Sequence, residues 1–200
     1  MKKILVVVMS LMLIVAFTAC GNTEEEQVSS APAASSAEDT AVNSEQAIGQ
    51  AVSDYLVNEV GKDYEKADAS IPVIKIISID ESNPDDILVK GCFEIYNYNI
   101  DGDTLKTASG GDHSGCLHLK ANDDGTYTVT SFDQVEDGAG YEESAKKIFG
   151  DDYDAFTAYQ SDDKAKAEKR LQAVSEYVKA NDIPCTKYQD EGWDPVELNI

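Results

Sequence analysis

Positive charge is scarce in this sequence. Its 200 residues contain 16 lysines and arginines against 38 aspartates and glutamates, which gives a formal net charge of -22. Proteins that bind nucleic acid or an anionic membrane face do so by neutralising phosphates with clustered lysine and arginine. The charge balance therefore argues against nucleic acid as a partner. It is compatible with cationic ligands, with divalent ions, or simply with solubility.

Motifs that bind metals or phosphates are missing as well. The only histidines are His113 and His118, and no CxxC pair is present to bring two zinc ligands together. The pair Gly110-Gly111 lacks the lysine and the serine or threonine of a phosphate-binding loop. No acidic turn continues to the glutamate that completes an EF-hand. We therefore predict no metal site and no cofactor.

Long apolar runs are absent except at the N-terminus. Lys2 and Lys3 precede an apolar run over residues 4–17, which is followed by the small pair Thr18-Ala19. A basic start, an apolar stretch and small residues at the end are typical of an export signal. The run is shorter than the roughly 20 apolar residues that a membrane-spanning helix needs. Residues 1–19 are therefore predicted to be a cleaved signal peptide.

Cys20 follows this signal directly. The segment Phe17-Thr18-Ala19-Cys20 resembles the lipobox of bacterial lipoproteins, which are cut before a cysteine that carries a diacylglycerol on its sulfur. It departs from the usual pattern at Phe17, where the family has leucine, although phenylalanine can fill the same apolar subsite. The resemblance implies a chain held at the extracytoplasmic face of the cell membrane by acyl chains such as palmitate, each buried methylene contributing about 0.8 kcal/mol.

The mature chain has two parts. Cleavage would remove two lysines and no acid, so the formal net charge would move from -22 to -24. Residues 20–42 are rich in serine, alanine and glutamate and contain no aromatic residue, which predicts a disordered tether behind the lipid anchor. Residues 43–200 are long enough to bury a core, and they are predicted to form a single globular domain.

Hydrophobic periodicity predicts an α+β fold for this domain. A first helix should begin at Asn43, which can form a capping box with Gln46, and should end at Gly61. A curved antiparallel sheet of about four or five strands follows, and then a helical C-terminal third. The predicted strands cover residues 72–79, 87–100, 104–109, 115–121 and 126–134, and the predicted C-terminal helices cover residues 142–149, 151–159 and 162–181.

The strand predicted over residues 87–100 has two different faces. Because side chains alternate along a strand, one face carries only apolar residues and the other carries mixed ones. The first face holds Ile87, Val89, Phe93 and Ile95, and the second holds Lys90, Cys92, Glu94, Tyr96 and Tyr98.

One helix followed by antiparallel strands resembles the cystatin-like and nuclear-transport-factor-like folds over residues 43–137. That resemblance implies a sheet wrapped around a helix, with a pocket that the C-terminal helices can close.

Three cysteines remain once Cys20 is set aside. Cys92 and Cys116 can form a disulfide if their strands are antiparallel neighbours in a suitable register, which would leave Cys185 unpaired. Pairing of Cys185 with either strand cysteine, or three reduced thiols, are the alternatives.

Two groups of side chains are candidates for function. The transport-factor-like resemblance implies a general acid-base site in a sheet pocket, with Glu94, His118 and Tyr96 as its first candidates. His113 in place of His118, Asp133 in place of Glu94 and Tyr98 in place of Tyr96 are the alternatives, and surface histidines explain the same pattern without catalysis. Trp193 and Tyr188 in the tail suggest a carbohydrate or partner platform. Burial of Trp193 against its own domain is the simpler prediction.

The leading hypothesis is a non-catalytic binding or interaction module, anchored in the membrane through Cys20, whose ligand is an envelope protein or a small molecule. An extracytoplasmic enzyme using Glu94, His118 and Tyr96 is one alternative. An envelope inhibitor or assembly factor is another. The enzyme hypothesis requires those three side chains to converge in one open concavity.

The lipobox resemblance generates the first prediction. Cys20→Ala should abolish incorporation of a labelled fatty acid and move the chain from the membrane fraction to the soluble fraction, because the thioether carries the anchor. Ser29→Ala, in the tether, is the matched control. It should leave the incorporation of the fatty acid and the membrane location of the chain unchanged. Continued fatty-acid labelling of Cys20→Ala would contradict the assignment.

Overall fold

The computed structural model describes residues 35–200, with side chains from residue 44 onward. The predicted signal peptide, Cys20 and the first part of the predicted tether lie outside these residues. No helix in the described part is long and apolar enough to cross a membrane.

The predicted α+β class is confirmed, with an N-terminal helix, a mostly antiparallel sheet and a helical C-terminal third. The first helix begins earlier than the predicted start at Asn43, and the C-terminal tail adds two short strands. The helices are α1 (Ser35–Tyr55), α2 (Tyr141–Phe149), α3 (Tyr153–Gln160) and α4 (Asp163–Ala180). The strands are β1 (Ala69–Asp80), β2 (Ile87–Asp101), β3 (Thr104–Asp112), β4 (Gly115–Ala121), β5 (Tyr127–Gln134), β6 (Lys187–Gln189) and β7 (Val196–Glu197).

Strand β2 is the centre of the sheet. One of its edges pairs with β1, and its other edge pairs with both β3 and β4. Glu94 lies opposite Asp112 of β3, and Gly91 lies opposite Gly115 of β4. Strands β3 and β4 therefore follow one another along the same edge of β2, and only positions 113 and 114 separate them.

The outer edges of β3 and β4 pair with two different strands. Strand β5 pairs with β4 in an antiparallel hairpin, whereas β6 pairs with β3 in parallel, with Lys187 opposite Thr104. Strand β7 pairs with β6 and is the outermost strand on that side. Register shifts occur in the pairings of β1, β3 and β5 with their neighbours, and such bulges bend and twist a sheet locally.

The apolar face of β2 packs against α1. Val89 and Phe93 are fully buried there with Ile48 and Val52 of α1 and with Leu56, which begins the helical turn Leu56–Val60 that directly follows α1. The predicted alternation of β2 is confirmed, because its other face belongs to different core clusters.

Helices α2, α3 and α4 cover that other face. Phe149 and Phe156 stack with ring centroids 4.0 Å apart in a cluster that includes Cys92. Val174 and Val178, from the predicted apolar face of α4, are buried in a second cluster that includes Tyr98. The C-terminal helices therefore cover much of the mixed face of the sheet.

The C-terminal tail packs against the domain through Tyr188 and not, as was predicted, through Trp193. Tyr188 on β6 is buried, with only 5% exposure, and its ring packs edge-on against Tyr98. Trp193 is 75% exposed, so the prediction that it buries against the domain is wrong. The reason is that Trp193 lies in the loop between β6 and β7, beyond the register positions that face the core.

Anchoring through Tyr188 generates a stability prediction. Tyr188→Ala should lower the free energy of unfolding by about 3 kcal/mol, because it empties a buried aromatic site. Trp193→Ala should change it by no more than about 0.5 kcal/mol, because the side chain is exposed. Urea unfolding followed by circular dichroism measures both. An equal loss in the two variants would contradict this account of the tail.

Candidate functional site

A pocket of about 360 Å³ lies between the sheet and α4, and we call it the Glu94 pocket. Strands β2 and β3 form its floor, α4 forms one wall, and β6 with the following residue closes one end. Its lining residues are Glu94, Tyr96, Asp112, Lys166, Ala167, Arg170, Tyr188 and Asp190.

The Glu94 carboxyl is the most unusual group in this pocket. The residue is only 7% exposed, and its carboxyl accepts a hydrogen bond of 2.7 Å from the Tyr96 hydroxyl. Burial raises the pKa of Glu94, and the nearby charge of Asp112 raises it further, whereas the Tyr96 hydrogen bond and the charges of Arg170 and Lys166 act in the opposite direction. Glu94 therefore holds its proton more tightly than an exposed glutamate.

Local sequence explains how Tyr96 reaches Glu94. Alternation along β2 places both side chains on the same face. Gly110 lies opposite Tyr96, and a Cβ at that position would be 2.7 Å from the tyrosine ring. The absence of a side chain at Gly110 therefore leaves room on β3 for the ring.

Asp112 supplies the second carboxylate. It is the register partner of Glu94, and it accepts hydrogen bonds from Ser114 Oγ at 2.6 Å and from Gln160 Nε2 at 2.8 Å. Both donors are neutral groups, so neither of them supplies a positive charge to Asp112. The pocket therefore holds two acidic groups on adjacent strands.

Arg170 forms the opposite wall and is the only arginine in the sequence. Its NH1 and NH2 groups donate to both oxygens of Asp190, at 2.9 and 2.7 Å. Its Nε donates to the Tyr98 hydroxyl at 3.0 Å, and NH2 also donates to Thr107 Oγ1 at 2.9 Å. The guanidinium is thus hydrogen-bonded to β2, to β3 and to the residue that follows β6.

Aromatic rings surround the same guanidinium. Its central carbon lies 3.7 Å from the ring centroid of Tyr96 and 4.7 Å from that of Tyr188. Burial alone would raise the pKa of Asp190, but its hydrogen bonds with Arg170 and Thr107 and the charge of Arg170 hold it below its ordinary value. Arg170 and Asp190 consequently form a charge pair that is neutral as a unit.

The charges lining the pocket do not balance. Arg170 is matched by Asp190, and Lys166 lies 3.1 Å from Asp163. Within the described residues, Glu94 and Asp112 have no cationic group within ion-pair distance. The pocket therefore carries an excess of negative charge.

A larger cleft of about 720 Å³ opens between the sheet and α2, and we call it the His118 cleft. His118 Nδ1 lies 2.7 Å from Asp86, and its Nε2 lies 3.5 Å from Asp133. Lys90, another lining residue, donates to the backbone oxygen of Phe149 at 3.0 Å and lies 3.2 Å from Asp152. These polar groups already have partners within the domain.

The structure brings together two of the three predicted catalytic residues. Glu94 and Tyr96 are hydrogen-bonded to each other, whereas His118 lines the other cleft. The register partner of His118 is Leu88, and positions 88 and 94 are about 20 Å apart along a strand. His113 does not replace it, because its Nε2 lies 2.8 Å from the Tyr64 hydroxyl. Glu94, His118 and Tyr96 therefore do not converge.

The cysteines of the described region are separate buried thiols. Cys116 lies opposite Lys90 rather than opposite Cys92, so the two strand cysteines are offset by two positions. Burial raises the pKa of Cys92 to about 12 and that of Cys116 to about 11, which disfavours their reactive thiolate forms. Cys185 is also free and buried. The described residues therefore contain no disulfide between any two of these three cysteines.

Comparison with known proteins identifies no family for this chain. No protein-family model, no curated protein and no solved structure matches this chain. The site must therefore be understood from its own geometry.

Three residues that line the Glu94 pocket could not be predicted as site residues from the sequence. Asp112 lies three residues beyond the predicted end of its strand, and only the register across β2 brings it to Glu94. Lys166 and Arg170 reach the pocket from a helix far along the chain. Arg170 offered one usable signal, since it is the single arginine among many acids.

The raised pKa of Glu94 generates a pH prediction. A carboxyl whose pKa is raised on folding contributes stability that is complete below its unfolded pKa, ordinarily 4.5, and that is lost as pH rises through the folded value. Glu94→Gln carries no such proton, so its stability relative to the parent should increase between pH about 4 and about 8. Chemical unfolding at both pH values tests this.

Asp123→Asn, on the exposed turn between β4 and β5, is the matched control, since it also removes one carboxylate. The change in stability between the two pH values should be larger for Glu94→Gln than for Asp123→Asn. A Glu94→Gln stability difference that does not depend on pH would contradict the prediction.

Proposed function

We propose that this protein is a membrane-anchored, extracytoplasmic lipoprotein whose domain binds a small organic cation in the Glu94 pocket. The observation that carries the ligand proposal is the pair of carboxylates, Glu94 and Asp112, which face a pocket whose own cations are already matched. The lipobox resemblance of Phe17-Thr18-Ala19-Cys20 supports the anchoring.

Charge and lining together favour an ammonium group as the recognised chemistry. Burying the charge of Glu94 is costly unless a partner compensates it. A bound amine would supply positive charge both to this buried carboxyl and to the exposed carboxylate of Asp112. The Tyr96 and Tyr188 rings and Ala167 give the pocket apolar walls that suit an organic substituent. The volume of about 360 Å³ lies within the range of small-molecule sites, roughly 300 to 1,000 Å³.

Binding is favoured over catalysis by the placement of His118. The enzyme hypothesis needs a base beside Glu94 and Tyr96, and His118 is instead paired with Asp86 in the His118 cleft. The larger size of that cleft does not by itself argue for a ligand, because His118 and Lys90 are already bonded within the domain. The transport-factor-like resemblance stays a hypothesis about the fold and carries no part of this proposal.

Thermal unfolding of the full chain in detergent tests the ligand class. The panel contains small primary amines, amino acids, quaternary ammonium compounds, neutral sugars, carboxylates, calcium and zinc. An amine at about 100 times its dissociation constant should add about 2.7 kcal/mol of stability and raise the midpoint by several degrees. Glu94→Gln should lose this shift, because it removes the carboxylate that the amine contacts.

Asp123→Asn is again the matched control and should keep the full shift. An equal loss in the two variants would mean that the overall negative charge, and not the pocket, attracts the amine. A shift with sugars, carboxylates or metal ions in place of amines would contradict the proposed ligand class.

A further inference from the structure

Trp193 is the most exposed of the large hydrophobic residues in the described part of the chain. It is the only tryptophan in the sequence, it is 75% exposed, and its ring makes no aromatic contact within the described residues. It lies in the loop of residues 190–195 between β6 and β7, which we call the Trp193 loop. Large aromatic side chains left in solvent are a common mark of interaction sites.

The Trp193 loop is held in place from its base. Asp190, its first residue, accepts two of the four hydrogen bonds that the largely buried Arg170 guanidinium donates. The Trp193 amide donates to the Asp190 carbonyl at 3.2 Å, and Gln189 Nε2 donates to the Trp193 carbonyl at 2.7 Å. Gly192 takes a positive φ of 79°, which allows the tight turn. An ordered loop loses less conformational entropy when a partner binds.

The charges around this loop have one sign. Glu191 and Asp194 flank Trp193, and Glu197 lies on the neighbouring strand β7; all three are exposed. Within the described part of the chain, none of the three forms an ion pair, whereas Asp190 is occupied by Arg170. A partner that covers Trp193 would therefore meet three unmatched carboxylates, so it should bring positive charge.

We propose that the Trp193 loop is a docking surface for a lysine- or arginine-rich segment of a partner protein. The indole face attracts cationic side chains through its quadrupole, and Glu191, Asp194 and Glu197 supply the complementary charge. Strand β7 is the outermost strand, so its free edge can accept an extended segment. Because β7 has only two residues, recognition depends mainly on Trp193 and the three carboxylates.

The test is a titration of the full chain, in detergent, into a fluorescein-labelled peptide of alternating lysine and serine, followed by anisotropy. Trp193→Ala should weaken binding by about tenfold, as expected for an aromatic hot spot. A glutamate-and-serine peptide should not bind. Because Trp193 is the sole tryptophan, acrylamide quenching of the intrinsic emission reports on this loop alone, and bound lysine peptide should reduce it.

Two charge variants separate the loop from the acidic surface as a whole. Glu191→Gln/Asp194→Asn/Glu197→Gln neutralises the loop, and Glu65→Gln/Asp123→Asn/Asp137→Asn removes the same charge from exposed positions elsewhere. The loop variant should weaken binding by about tenfold and the distant variant by no more than about twofold. Circular dichroism of each variant checks that the fold is retained.

Equal weakening by the two triple variants would overturn the proposal, since general attraction to an acidic protein would explain it. Unchanged quenching of Trp193 in the presence of bound peptide would also overturn it. Protection of Trp193 by a neutral oligosaccharide, with none by the lysine peptide, would assign the loop to carbohydrate stacking instead.

Discussion

The hydrogen bonds and ring contacts of Arg170 connect α4 with the central strands and with the C-terminal tail. One guanidinium on α4 contacts Tyr98 of β2, Thr107 of β3 and Asp190 beyond β6. Taking this cation out of water is costly, and the two-point pairing with Asp190 together with the flanking tyrosine rings offsets that cost. Because Arg170 is the only arginine in the sequence, no other side chain supplies the same planar set of donors.

Two surfaces depend on that pairing. Asp190 is neutralised on the side of the Glu94 pocket, which leaves Glu94 and Asp112 as the acids without a cationic partner there. The same contact fixes the first residue of the Trp193 loop, so the exposed indole is presented on an ordered support. The pocket and the loop thus share one charged pair, although they face different kinds of ligand and each proposal can fail without the other.

Much of the architecture could be predicted because it is encoded locally. Alternation along β2 predicted its two faces, and hydrophobic periodicity predicted the first helix, the five longer strands and the helical C-terminal third. Strands β6 and β7 could not be predicted, because two or three residues give no periodic signal. Within the site, the sequence could place Glu94 and Tyr96 on one face. It could not show that Leu88, the register partner of His118, lies about 20 Å along β2 from Glu94, because that depends on cross-strand register.

Strand order also has a consequence for how the chain folds. Strands β2 and β3 are joined by a short hairpin, so their pairing closes a small loop. The parallel pairing of Lys106 with Gln189 instead joins residues 83 positions apart, and β6 has no edge to join until β3 is in place. Docking of the tail is therefore conditional on the sheet and is the least local of the strand pairings. A chain emerging from its N-terminus can build its central hairpin first and attach its last two strands at the end.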